Sequence, residues 1–111
     1  MILSLNALTD WKQVYKSLPD KTYVDFDTMK VNGSIVEYWM KKNFTKISDG
    51  ALSARAQIRL DCRKNSYEII FYSAFTGPDF TGSSIYNANP HISAPIADFS
   101  PEQAVRDGVC K

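Results

Sequence analysis

The stretch that most narrows what this chain can fold into is Ala51 to Arg63, where apolar and polar residues alternate along its whole length. Leu52, Ala54, Ala56, Ile58, Leu60 and Cys62 fall on one side, while Ser53, Arg55, Gln57, Arg59 and Asp61 fall on the other. Side chains on an extended strand repeat every second residue, so the pattern describes a central strand with one face turned to a core. The last inward residue of that strand is a cysteine. A second cysteine, Cys110, lies beyond another clear signal, Ser100-Pro101-Glu102-Gln103. Ser at the N-cap, Pro at the first helical position and Gln at the third together predict a helix start.

That helix is short, Pro101 to Asp107, with Ala104 and Val105 on its apolar side and Gly108 placed to stop it. A helix of this length is not stable alone in water, so it must be held on the sheet. A disulfide between Cys62 and Cys110 would close a loop of about fifty residues, worth about 4 kcal/mol in the chain-entropy account. An even cysteine count in a short chain fits an oxidising compartment. Two unrelated buried thiols in a cytosolic protein are the alternative left open by the residues.

Further strands are predicted over Asp10–Ser17, closed by a turn at Leu18-Pro19-Asp20, and over Lys21–Asp27 and Ser34–Lys41. Thr28-Met29-Lys30 is expected to form one helical turn before the Asn32-Gly33 turn, and Lys42 to Gly50 a polar loop. An even hairpin loop after Cys62 sets Cys62 opposite Tyr67, Leu60 opposite Ile69 and Ile58 opposite Phe71 on the core face. It leaves Ile70 and Tyr72 with Tyr23 and Trp39 on the other face, which is more apolar than a solvated face requires and suggests a partner surface or a homodimer contact. Gly77 to Ala94 is too long for an incidental connector and is expected to be a structured functional loop or an insertion before the tail, with one short strand at Ser83–Tyr86.

At 111 residues the chain is one domain, with residues 1–10 as an N-terminal extension or the remnant of an export signal and residues 11–111 as the domain. Its formal net charge is +1, which argues against nucleic acid or an anionic membrane as partner. Arg55, Arg59, Arg63 and Lys64 beside Trp39 and Tyr72 form the best nucleic-acid-like group, but the same mixture is typical of protein-protein hot spots. No run is long enough to span a bilayer as a helix. The single histidine, His91, could act as a general base or as a metal or haem ligand, but with no second histidine or free cysteine to accompany it the residue reads as a surface loop position. Asp25 and Asp27 read as strand-end charge rather than an acid-base pair. No serine sits in a nucleophile elbow, and no cofactor motif is present, so an enzyme is not expected.

Taken in order, Trp11, Tyr23-Val24-Asp25, Thr28-Met29-Lys30, Asn32-Gly33, Val36-Glu37-Tyr38-Trp39, Leu60-Asp61-Cys62 and Tyr67-Glu68-Ile69 resemble the surface-adhesin E family of small exported bacterial proteins. Ala94-Pro95-Ile96 and Ser100-Pro101-Glu102, running to Val109-Cys110, complete the resemblance from Trp11 onward. The resemblance implies an α+β fold: a single antiparallel sheet of about six strands, with a short C-terminal helix tied to it by the Cys62–Cys110 disulfide. It also implies export to the periplasm, outer membrane or cell surface, and capture of host extracellular-matrix or serum proteins such as vitronectin and laminin. The expected function is therefore a protein-binding module. Its candidate binding residues are Trp39, Arg55, Arg59, Tyr72 and His91, on the aromatic and arginine sheet face or in the 77–93 loop. The alternative is a periplasmic domain with an enzymatic or small-molecule-binding role centred on His91.

Overall fold

The structure is a computed structural model that describes residues 11–16 and 20–110. The elements in chain order are β1 (Trp11–Lys16), β2 (Lys21–Asn32), β3 (Ile35–Ser48), β4 (Ala51–Asp61), β5 (Ser66–Phe75), β6 (Ser84–Ala88), β7 (Ile92–Pro95) and helix α1 (Pro101–Val109), with a short 3-10 turn at Pro78–Phe80. All strands join one antiparallel sheet in the order β1-β2-β3-β4-β5-β6, and β7 shares the β5 edge with β6. β6 pairs with the second half of β5 and β7 with the first half. The α+β fold that the family resemblance implies, one antiparallel sheet with a C-terminal helix tied to it by the Cys62–Cys110 disulfide, is the one observed, with seven strands against the expected six or so. The proposed N-terminal extension and the turn at Leu18-Pro19 lie outside the described residues.

The periodicity of β4 sorts the sheet into two faces. Val24, Met40, Ala56 and Tyr72 form one row across four strands, and together with Val36, Tyr38, Ile58 and Leu60 they make the core face. α1 lies on this face through Val105, Val109 and Cys110, with Ile96 buried beside it. Ser100 caps α1 as predicted, its hydroxyl accepting the Gln103 N–H at 3.1 Å. The helix runs through Gly108 to Val109, two residues beyond the expected stop, and Cys110 is its C-cap. Cys110 is bonded to Cys62, with Cα atoms 5.6 Å apart across 48 positions of sequence.

Several local expectations are corrected. Lys42 to Ser48 continues β3 instead of looping, because Asp49 (φ 50) and Gly50 (φ 86) both take left-handed conformations and close a two-residue hairpin. Thr28-Met29-Lys30 is not a helical turn but part of β2, at an irregularity between Asp25 and Lys30. The Asp25 carboxylate organises it by accepting the Asp27 N–H at 3.0 Å and the Thr28 hydroxyl at 2.9 Å. β7 lies in the segment expected to be loop.

The β4-β5 hairpin keeps its even loop but slips by one pair, with Asp61 opposite Ser66 and Leu60 opposite Tyr67. Asp61 accepts the N–H groups of Arg63 and Lys64 and so shapes this turn. Further along, the register shifts between Gln57 and Ile58, where β5 carries one extra residue, Ile70. This bulge reverses the faces beyond it. Phe71 pairs with Gln57 on the outer face and Tyr72 with Ala56 on the core face, the opposite of the sequence expectation.

Candidate functional site

On the face away from α1, two adjacent rows run across the sheet. The first is Trp11, Asp25, Trp39, Gln57 and Phe71; the second is Tyr23, Lys41, Arg55 and Ser73. Cross-strand neighbours on one face lie within side-chain contact, so the register alone sets aromatic rings beside two cations. Trp39 and Phe71 meet edge to face with ring centroids 5.8 Å apart. The Arg55 guanidinium lies 5.1 Å from the Trp39 ring centroid and 5.8 Å from that of Phe71.

The remaining wall comes from the segment after β5. Buried Ser53 donates its hydroxyl to the Gly77 carbonyl at 2.7 Å and accepts the Phe80 N–H at 2.9 Å. Asp79 and Phe80 are held at φ 52 and φ 67, conformations that bulky residues seldom take without such anchors. The reward for this backbone is the position of Phe80. Its ring stands 5.9 Å from Trp11, 5.5 Å from Phe75 and 5.8 Å from the Arg55 guanidinium. Lys41 lies over Tyr23 at 4.7 Å and Trp11 at 5.4 Å, and donates to Asp79 Oδ1 at 2.9 Å. Asn43 donates to the same oxygen and accepts the Asp79 N–H. The Asn43 amide, followed by Lys41, holds the Asp79 carboxyl below its ordinary pKa.

These elements enclose an open cavity of about 540 Å³ lined by Trp11, Asp25, Thr28, Trp39, Lys41, Arg55, Asp79 and Phe80. Asp25, Lys41 and Asp79 all have hydrogen-bonding partners. Arg55 forms no ion pair with any described residue, and its Nε is buried without an acceptor.

Of the candidate residues, Trp39 and Arg55 thus meet in one site. Arg59 shares their face but lies about 13 Å farther along β4, four residues at strand rise. It is bound by Glu37 at 2.8 Å and approached by Glu68 at 3.7 Å. His91, well exposed, contacts that same Glu68 through Nδ1 at 2.9 Å. Among the described residues no group of three or more His, Cys, Asp or Glu side chains is placed to hold a metal ion. Tyr72 is on the core face, against Tyr86, so the bulge removes it from the site. Burial, then Asp49 and Tyr86, raises its phenol pKa.

Sequence reasoning missed Ser53, Lys41, Phe71 and Phe80. Phe71 needed the bulge, and Phe80 needed the buried Ser53 that seats its loop. Lys41 was legible as a strand residue in alternation with Trp39, but its aromatic neighbours on β1 and β2 were not.

The class is defined by these features: a small disulfide-tied antiparallel sheet, its helix against one face and an aromatic-cationic site open on the other. The chain belongs to the surface-adhesin protein E family, whose model matches residues 11–111. Two solved structures of Haemophilus influenzae protein E share the fold. Crystal form II superposes with a TM-score of 0.66 at 15% identity, covering 90% of this chain and 86% of that one. The second gives a TM-score of 0.62 at 14% identity, covering 90% and 83%. No curated protein sequence matches the chain.

Proposed function

We propose that this chain is an exported bacterial binding module that captures a protein partner through its outer sheet face or the adjoining 77–93 segment, of which Asp79 and Phe80 line the site. The observation that carries this reading is the Trp39, Arg55, Phe71 and Phe80 cluster, held open to solvent at some conformational cost. Nothing in the core requires it, and aromatic-arginine clusters of this kind dominate protein-protein affinity. Membership in a family of surface adhesins supports the same reading, and the disulfide suits an oxidising compartment at the periplasm or cell surface. The partners that the family suggests are host matrix or serum proteins.

Capture on immobilised vitronectin and laminin tests this. Trp39→Ala should weaken capture by about thirtyfold, the effect of losing one hot spot, with the unfolding transition retained. Arg59→Ala should cost less because Glu37 and Glu68 already hold that guanidinium, and His91→Ala should leave capture near wild type. Unchanged capture by a folded Trp39→Ala variant would remove the outer face from consideration.

A further inference from the structure

We infer that the Arg55 box is a carboxylate-binding site, and that its natural occupant is an acidic side chain of the protein partner. The source of the carboxylate rests on the protein-binding reading above; the chemistry of the box does not. A guanidinium taken partly out of water needs either an anion or an aromatic surround. Trp39, Phe71 and Phe80 supply the aromatic surround, which favours the cation without using its hydrogen-bond donors. Arg55 therefore keeps a charge and a planar donor fork with no acceptor, beside a cavity of about 540 Å³.

The other charges around the cavity narrow the ligand. Lys41 is neutralised by Asp79, and Asp25 is engaged by Asp27 and Thr28. Arg55 is the lining cation left to attract an anion. Asp25, only 3% exposed yet lining the same cavity, opposes a doubly charged group such as sulfate or phosphate. A singly charged, planar carboxylate matches both the fork and the slot between rings. An acidic side chain also brings methylenes that can lie against Trp39 and Phe80.

The test titrates the full ¹⁵N-labelled chain with acetyl-tetraglutamate amide, its tetraglutamine counterpart, sodium acetate and sodium sulfate. The Arg55 Nε–H resonance, identified by its loss in Arg55→Lys, reads the site directly. Trp11 and Trp39, the two tryptophans of the chain, both line the cavity and report by fluorescence. The glutamate peptide should shift the Arg55 resonance saturably while the glutamine peptide does not. Arg55→Lys should weaken binding at least about tenfold, since an ammonium lacks the fork, and Arg55→Met should abolish it. If Arg55→Met fails to fold, the wild-type titration still decides.

Equal response to both peptides, or no saturable response to either, overturns the site. Tighter binding of acetate than of the peptide assigns it to a free small carboxylate, and preference for sulfate assigns it to a sulfated glycan; both refute the inference. Glutamate-specific binding without capture of vitronectin or laminin keeps the carboxylate site and rejects the adhesin reading. Capture that depends on Trp39 but not on Arg55 does the reverse.

Discussion

Ser53 shows how much one small side chain can organise. It sits on the outer side of β4, where a polar residue is expected at a solvated face, yet it is fully buried because the Gly77–Phe80 segment lies over it. Its two hydrogen bonds place Phe80 above Arg55. Asp79 anchors the same segment from the other side, through Asn43 and Lys41. Because these partners lower its pKa in the folded protein, Asp79 contributes stability at pH above its unfolded value, and that contribution is lost as pH falls through the lowered folded value. Acidification below roughly pH 4 should therefore release the segment and change the fluorescence of Trp11, which touches Phe80. Asp79→Asn should lack this acid transition; its persistence in that variant would assign the change to another group.

At the scale of elements, β5 and α1 carry the decisive features. One extra residue in β5 moves Phe71 to the outer face and Tyr72 to the core, and so exchanges the aromatic residue available to Arg55. α1 is only nine residues long and depends on Val105, Val109 and the Cys110 bond for its place on the sheet. Reduction of the disulfide should lower unfolding stability by about 4 kcal/mol in denaturant titration and expose the α1 amides to rapid exchange. An unchanged midpoint would mean that packing alone holds the helix. The core beneath it also buries the Tyr38 hydroxyl without a partner, and this burial, with Glu102 nearby, pushes its pKa far up. Tyr38 therefore stays a neutral packing residue.

Across the whole molecule, the sheet separates labour between its faces. One face is spent on the core and the helix, and the other is free to present aromatic and charged groups. A homodimer through this outer face, the contact that the sequence suggests, would have a second copy cover Trp39 and its neighbours and compete with partner capture. Light scattering should then show mass rising with concentration, and capture should fall as the dimer forms. A monomeric mass throughout at high concentration would eliminate that arrangement.

What was legible in the sequence was whatever depends on local periodicity and local caps. The alternation around Ile58 specified a two-faced strand and Ser100-Pro101 a helix start, while Cys62 and Cys110 allowed a join between the two that the structure shows as a disulfide. Asp49-Gly50 carries a hairpin signal of the same local kind, masked by the polar residues before it, which read as a loop. Tertiary structure decided the rest. A bulge at Ile70 is chosen by the pairing of β4 with β5, the strand at Ile92–Pro95 by a free edge on β5, and the place of Phe80 by a serine 27 positions earlier. Each is a contact between residues distant in sequence, whose free energy exists only once the sheet has brought them together, so no local pattern encodes it.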